Sequence, residues 1–494
     1  MTRLTAPTGP TTWWGPELMR HLPTSPTLPT LPPAPISPPA PAAPPWPSRP
    51  RLRAVAAALL LPLAWLGSTL AGAAPLGPGA PPLTGSPCAP AALVDAGFRD
   101  AALAALGRLA VQAPGRSAHG AVRSHHSAGH VDSHGRAWHQ ISAYQVNLGL
   151  VGALRVSPKA LPLAANWLRW LAGHIAPGGA SRGVVLDHWV RADDFAESTC
   201  PPGMATGQCG AVDAYDSTAA TTLLLAEAYL ARGGDVMLIR DPAMRQALEA
   251  AATTLNALGG PDGLTIAKPD HAVVYTMDIV EVVAGWRAWA RLQRDAYAQP
   301  ASAVNSDALA DRAEASLHQR LWLASANAWA VSLGSGAPQP GHWYPDTVAQ
   351  AWPLLWGVGG VAPERARATW RAAIAPWQRG PLSGVTPVNT SLATSPTTGP
   401  ATAQHWARST ADPAGFWWPA VAVAAACTGD EHSARTWVAR ARARWLDPKA
   451  PFAWPFQVGD LLWLLWLADP QPALQQRSAA DLPALAVLNV NNEE

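Results

Sequence analysis

Two short stretches of the sequence carry carboxylates three residues apart. Asp213 and Asp216 form the first pair, and Asp278 and Glu281 form the second. Each pair stands where a helix is predicted to begin, so both carboxylates of a pair are expected on one face of a first helical turn. Paired carboxylates can divide acid and base work, as cleavage of a glycosidic bond requires. Asp187, in a long loop, is a further candidate for the acid.

The same positions have a structural alternative. Asp is a favoured N-cap, and acidic side chains in a first turn interact well with the helix dipole, so Asp213, Asp278 and Asp346 could serve only the helices. Only 14% of the residues are charged. A cluster of carboxylates in one cleft destabilises the folded protein, so in a chain with so few charges it is expected only where it has a function. If these residues converge, a catalytic interpretation is therefore favoured.

Aromatic and polar side chains near the same predicted helix starts could bind a sugar. The chain has 25 Trp but only 6 Tyr and 5 Phe, and indole faces stack well on the C–H surfaces of sugars. The predicted substrate-binding residues are Tyr144, Asn147, Trp189, Lys268, Tyr344, Asp346, Trp417 and Trp418. Seven tryptophans are predicted to surround the mouth of one cleft: Trp138, Trp189, Trp343, Trp406, Trp417, Trp418 and Trp454.

A histidine-rich stretch between residues 119 and 139 has no fixed register. Its members are His119, His125, His126, His130, His134 and His139. Because neither a helix nor a zinc finger spaces ligands in this way, we interpret the stretch as a solvated loop. No metal site and no cofactor are predicted.

The elements that must position these residues are predicted to be helices. Apolar residues recur at spacings of three and four, and no long alternating run indicates a strand. Twelve segments read as helices: 92–111, 141–154, 158–174, 214–232, 242–257, 276–297, 303–323, 345–358, 363–377, 414–428, 431–446 and 458–468. Short and long connections alternate between them, which predicts an all-α fold, an (α/α)6 toroid of six helical hairpins with the long loops on one face. An open α-solenoid is the alternative.

The regions outside the toroid have simpler compositions. Residues 1–50 are Pro-rich and predict a disordered tail. Residues 51–74 combine a basic flank, an apolar run and small residues. This is typical of a signal peptide, with cleavage expected after Ala73, or of a signal anchor that is retained. Residues 75–90 form a linker, 91–470 the toroid and 471–494 a C-terminal tail. Export to the periplasm or the exterior is expected, with anchoring through residues 54–74 if the segment is retained.

Cysteine and charge content narrow the setting further. Four cysteines follow the leader, and an even number in an exported chain favours disulfides, here Cys200 with Cys209 and Cys88 with Cys427. There are 35 Lys and Arg against 33 Asp and Glu, a net charge of +2, so the basic surface that nucleic-acid binding needs is missing. A monomer with a carbohydrate partner is expected.

Several segments resemble a known family. Residues 142–147 (SAYQVN), 213–221 (DAYDSTAAT) and 262–285, with DGLTIAKP followed by YTMD and EV, resemble uncharacterised bacterial proteins of the six-hairpin glycosidase superfamily. The resemblance implies an (α/α)6 toroid that acts on carbohydrate. The stretch VDAYD also looks, more distantly, like the Asp-x-Asp helix of family 8 glycoside hydrolases.

The chain departs from these families at two positions. Family 8 has an acid Glu at the first inner helix, where this sequence offers Gln140, Ser142 and Gln145, and Ile279 stands where the closer family is expected to have Asn. The leading hypothesis is an exported glycoside hydrolase. Because of the missing Glu, a non-catalytic glycan-binding or polysaccharide-assembly protein is the alternative, and a polysaccharide lyase is a third hypothesis.

Overall fold

Helices make up most of the computed structural model, which describes residues 92–175, 183–340, 342–358, 363–378, 418–453 and 456–468. The predicted N-terminal tail, leader, linker and C-terminal tail lie outside these ranges. The helices are α1 Ala96–Leu109, α2 Ala143–Val156, α3 Leu161–His174, α4 Tyr215–Ala231, α5 Val236–Arg240, α6 Pro242–Leu258, α7 Thr276–Asp295, α8 Pro300–Leu321, α9 Trp352–Trp356, α10 Pro363–Gln378, α11 Trp418–Cys427, α12 Glu431–Trp445 and α13 Leu461–Trp466. Each of the twelve predicted segments overlaps one of them, and α5 is an additional short helix.

Six helices pack side by side in a closed cycle. Helix α2 packs against α4, α4 against α7, α7 against α9, α9 against α11, α11 against α13, and α13 returns to α2. Around them, α1, α3, α6, α8, α10 and α12 each contact a member of the inner cycle. This is the all-α, double-layered ring that the alternation of loop lengths predicts. The open solenoid is wrong, because its first and last inner helices would not touch.

The ring is closed by contacts between its first and last segments. The backbone N–H groups of Leu93 and Val94 both donate to the carbonyl of Leu467, at 2.9 and 3.1 Å. Helices α2 and α13 approach so closely that a Cβ added to Gly152 would lie 2.5 Å from the Leu461 carbonyl oxygen. Glycine is therefore required at this crossing, because any larger residue would push the two helices apart.

Asp N-caps begin outer helices and not the candidate inner ones. Asp95, Asp241 and Asp430 accept backbone hydrogen bonds at the starts of α1, α6 and α12. The inner helices α4 and α7 instead follow Ala214 and Tyr275, and neither start has a side-chain cap. The capping explanation for Asp213 and Asp278 is therefore wrong, since neither occupies the cap position.

A small antiparallel sheet lies in loops that the sequence analysis left without strands. Its strands are β1 His130–Val131, β2 Ala137–Ile141, β3 His188–Arg191 and β4 Glu197–Ser198, in that spatial order. Two further strands, β5 Trp322–Leu323 and β6 Ala328–Trp329, form a hairpin after α8. The four-stranded sheet joins the loop before α2 to the loop before α4, so both loops are held in place beside the ring.

The predicted Cys200–Cys209 disulfide is present, with the two Cα atoms 4.5 Å apart. Cys427 is also disulfide-bonded, and Cys88, its predicted partner, lies outside the described residues. Among the described helices, none is both long enough and apolar enough to cross a membrane.

Candidate active site

Glu281 connects three inner helices. Its Oε1 atom accepts hydrogen bonds from the Tyr144 hydroxyl of α2, at 2.8 Å, and from the Trp352 indole of α9, at 3.1 Å. The residue is only 3% exposed. Burial raises the pKa of its carboxyl to about 7, although hydrogen bonds, including those from Tyr144 and Trp352, lower it. Glu281 therefore lies beneath the surface of the site and fixes the positions of groups around it.

Asp216 is fully buried. It is 0% exposed, its Oδ2 accepts a 2.6 Å hydrogen bond from the Thr265 hydroxyl, and its Oδ1 accepts the Ser217 backbone N–H at 2.8 Å. Burial raises the pKa of this carboxyl to about 7. A ligand cannot reach Asp216 in this structure, although its charge still acts on its neighbours.

Asp213 is the accessible member of the first pair. The prediction that Asp213 and Asp216 share one helical face is wrong, because α4 begins at Tyr215 and Asp213 precedes the cap residue. Asp213 is exposed to solvent. The protein around its carboxyl group nevertheless removes enough water from it to raise its pKa to about 7. The positive charge of Lys268, whose ammonium donates to the Val212 carbonyl at 3.1 Å, acts in the opposite direction.

Asp278 is partly exposed in the first turn of α7. Burial raises the pKa of its carboxyl well above the usual range, and the charges of Asp216, Glu281 and Asp213 raise it further. The carboxyl groups of Asp213, Asp216, Asp278 and Glu281 are thus close enough to influence one another. Asp278 lies in the first turn of α7, and Glu281 follows three residues later in the same helix.

Asp187 approaches the same group from the loop before β3. It is partly exposed, and its Oδ2 accepts a 2.7 Å hydrogen bond from the Gln140 amide of β2. Burial raises the pKa of Asp187 to about 7, and the charge of Asp213 also raises it. The small sheet therefore holds Asp187 beside Asp213.

Three tyrosines border the carboxyl groups. Burial raises the pKa of Tyr144 and Tyr344 well above the usual value, and that of Tyr275 to about 12. Asp213, Asp278 and Glu281 raise the pKa of Tyr344 further. All three phenols stay protonated at neutral pH, so they can donate hydrogen bonds and cannot act as bases.

Three of the predicted substrate-binding residues have structural roles instead. Asn147 is 0% exposed and joins helices, accepting the Trp167 indole N–H at 2.9 Å and donating to the Thr222 hydroxyl at 3.1 Å. Asp346 is buried and binds the Gln339 backbone N–H and the His342 ring. Trp189 is buried in β3, where its ring packs edge-on against that of His130.

The predicted circle of tryptophans is not seen among the described residues. Trp138 is buried like Trp189, and its indole donates to Asp132 at 3.1 Å. Both rings pack within or against the sheet, so neither offers a face to a sugar. The remaining members fall outside the described residues, either entirely (Trp406, Trp417 and Trp454) or in their side chains (Trp343 and Trp418).

The histidine-rich stretch is not a solvated loop throughout. His125 and His139 are buried, and burial lowers the pKa of His125, His126 and His139 to about 4. These histidines are therefore neutral at physiological pH. His130 begins β1, and His139 lies in β2, so the stretch is built into the sheet.

Some residues of the site carry no catalytic signal in the sequence. Gln140, Thr265 and Trp352 each hold one of the carboxylates, yet their types are common in cores and loops. Thr265 lies inside one of the segments that carry the family resemblance, which is a usable signal, whereas Gln140 lies just before the first of them. Trp352 sits in an apolar run, and its contact with Glu281 depends on how α7 meets α9.

No family model matches the chain, and no curated protein matches it. Solved structures that resemble it include a glycosidase, with a TM-score of 0.42 and 14% identity over 79% of this chain and 100% of the other. A reducing-end xylose-releasing exo-oligoxylanase has a TM-score of 0.42 and 13% identity over 76% and 93%. A rhamnosidase from Klebsiella oxytoca with rhamnose bound has a TM-score of 0.36 and 14% identity over 67% and 58%.

Proposed function

We propose that the chain is an exported glycoside hydrolase whose site is the carboxylate cluster at the inner-helix starts. One observation carries the proposal. The accessible carboxyl groups of Asp187 and Asp213 have pKa values raised to about 7, and two further carboxyl groups, those of Asp216 and Glu281, are buried close to them. At neutral pH such a group contains both protonated and ionised members. Glycosidic cleavage needs one carboxylic acid and one carboxylate together.

The environments of Asp187 and Asp213 support different roles for them. We assign Asp187 as the general acid, because it is less exposed than Asp213 and the charge of Asp213 favours its protonated form. Asp213 is the base that activates water, because it is exposed and the Lys268 charge favours its ionised form. Asp278, whose pKa burial and the neighbouring carboxylates raise well above its usual range, stays protonated and donates a hydrogen bond to substrate.

Buried groups behind this pair support it. Asp216 and Glu281 are held by Thr265, Tyr144 and Trp352 and act as positioning residues. Tyr344 faces the same charges and is suited to orient sugar hydroxyl groups. Asp187 thus takes the place of the Glu that is missing at the first inner helix.

Export is part of the proposal and is supported by the disulfide between Cys200 and Cys209, since such bonds persist mainly in oxidising compartments. A lyase is less well supported. Lyases need free cations to neutralise a uronate. Two arginines in the loops before α2 and α4 are already engaged, Arg136 by Asp132 and Arg191 by Asp193 and Asp194.

The test is hydrolysis of a polysaccharide panel by the purified full-length protein, with Asp187→Asn and Asp213→Asn variants. Loss of a general acid or base typically lowers turnover by 10²–10⁴-fold, so we expect release of reducing ends to fall about that much in each variant. Asp311→Asn, which removes an exposed carboxylate from outer helix α8, is the matched control and should keep full activity.

Binding measured on the same panel separates the alternatives. Oligosaccharide affinity without turnover in the unmodified protein would replace the proposal by the glycan-binding alternative. Turnover that survives in both Asn variants would reject the assigned acid and base. An unsaturated product absorbing in the ultraviolet would indicate a lyase instead.

A further inference from the structure

A second group of ligand-type side chains lies away from the carboxylate cluster. His174 in the last turn of α3, His188 at the start of β3 and Glu197 at the start of β4 each bring one ligand atom within 4.8 Å of the others. The His174 Nε2 and Glu197 Oε2 atoms are 3.2 Å apart. All three residues are partly exposed, so an ion can enter from solvent.

At both histidines, the contact of Nδ1 with a backbone carbonyl suits metal binding through Nε2. His174 Nδ1 is 2.6 Å from the Trp170 carbonyl oxygen, and His188 Nδ1 is 2.7 Å from the Leu186 carbonyl oxygen. A carbonyl can only accept, so each Nδ1 must carry the hydrogen. In the neutral ring the lone pair is then on Nε2. Metal-binding histidines are typically oriented in this way, by donation from the other ring nitrogen to a backbone carbonyl or carboxylate.

The carboxylate is held in the same manner. The Trp170 indole donates to Glu197 Oε1 at 3.0 Å, which leaves Oε2 directed at His174. The Trp170 ring also stacks on the His174 ring, with centroids 4.1 Å apart and planes inclined by 19°. One residue, Trp170, therefore orients two of the three ligands.

We propose that His174, His188 and Glu197 bind a divalent first-row transition-metal ion, with Zn²⁺ as the best match. Two imidazoles and one carboxylate are a known zinc ligand set with a position left for water. Zinc bonds of 2.0–2.2 Å place tetrahedral ligands about 3.3 Å apart. The His174–Glu197 spacing of 3.2 Å fits this, and the His188 ring lies beside both residues, with one ligand atom of each of the three within 4.8 Å of the others.

The position of the site gives the ion a structural role. It joins the end of α3 to β3 and β4, and His188 is next in sequence to Asp187. A bound ion would brace β3, the strand that begins directly after Asp187. The site itself stands on its own ligands, whatever reaction the carboxylate cluster performs.

The test is calorimetric titration of Zn²⁺ into the full-length protein, purified without a histidine tag. We expect saturable binding of one ion to this group and a Zn²⁺-dependent rise in melting temperature, because an ion that binds only the folded state stabilises it. His188→Ala and Glu197→Gln should each lower the affinity at least tenfold. His432→Ala, which removes an exposed histidine from outer helix α12, is the matched control and should not change it.

Two further measurements separate metal binding from the simpler possibility of a His174–Glu197 ion pair. His188→Ala leaves that pair intact, so loss of Zn²⁺ in a variant that melts normally without metal points to ligation. Trp170→Phe removes the indole hydrogen bond to Glu197 and should weaken binding about 10–100-fold. Absence of saturable Zn²⁺ binding, or equal affinity in His188→Ala and the unmodified protein, would overturn the proposal.

Discussion

At the scale of residues, Asp213 and Asp216 differ in exposure although they are only three residues apart. The carboxylate of Asp213 is exposed, and that of Asp216 is buried. The spacing of Asp213 and Asp216 predicts two carboxylates close to one helix start. It does not indicate where α4 begins, and that boundary decides which carboxyl is exposed. Element boundaries depend on local competition between backbone conformations of similar energy, so residue patterns locate them poorly. Asn147 shows the same difficulty, because its position at an inner-helix start gave no sign that three core groups bind its side chain.

Asp216 is expected to make stability depend on pH. Its folded pKa is raised to about 7, whereas an unfolded Asp titrates near 3.9. The stabilisation from the protonated folded form is complete below pH 3.9 and is lost as the pH rises through about 7. Asp216→Asn is neutral throughout and avoids this loss. Its melting temperature relative to the unmodified protein should therefore rise by a few degrees between pH 4.5 and pH 7.5, at roughly 2 °C per kcal/mol.

Thermal unfolding of both proteins at the two pH values measures this effect. Asp311→Asn on the exposed face of α8 serves as control and should show the same small difference at both. If the melting temperature of Asp216→Asn does not gain on that of the unmodified protein at the higher pH, the Asp216 carboxyl is not held protonated by burial.

At the scale of elements, the helices could be predicted and the sheet could not. Each inner helix is an apolar run bounded by a long and a short connection, and that pattern survives in the structure. The strands span two to five residues, which is too short for an alternating pattern to stand out. Their pairing comes from the ring, which brings the loops before α2 and α4 together. For the same reason the zinc ligands on α3, β3 and β4 showed no motif in the sequence.

The crossing of α4 and α7 is expected to tolerate only glycine at position 285. A Cβ there would lie 2.7 Å from both the Cα and Cβ of Ala220, so Gly285→Ala must separate two helices that carry the candidate carboxylates. We expect a loss of about 1–3 kcal/mol in the free energy of unfolding and reduced activity. Denaturant unfolding followed by circular dichroism measures the first.

A matched substitution controls for the change of residue type. Gly107 is exposed in α1, and an added Cβ there meets nothing within 4 Å. Gly107→Ala should stabilise by about 0.5–1 kcal/mol, because Ala loses less backbone entropy in a helix. Equal effects of the two substitutions would show that helix propensity, and not the crossing, governs position 285.

At the scale of the whole molecule, closure of the ring is what makes one site out of separate hairpins. Asp187 and Asp213 come from the connection between α3 and α4, Asp278 comes from the first turn of α7, and Glu281 is bound from α2 and α9. The regular alternation of loop lengths predicted a ring. Which side chains would meet in it could not be predicted, because that depends on the rotation of each helix about its own axis.

Closure also means that the chain could begin and end at a different hairpin and still form the same ring. Leu93 and Leu467 are hydrogen-bonded neighbours, so a short linker could join them and new termini could be opened elsewhere, for example at Gly233 in the exposed turn after α4. Circular permutation is tolerated where ends are close and loops are exposed. We expect such a permutant to retain the far-ultraviolet circular dichroism spectrum and the activity of the unmodified protein. A permutant that fails to fold would show that the native order of hairpins is needed to assemble the ring.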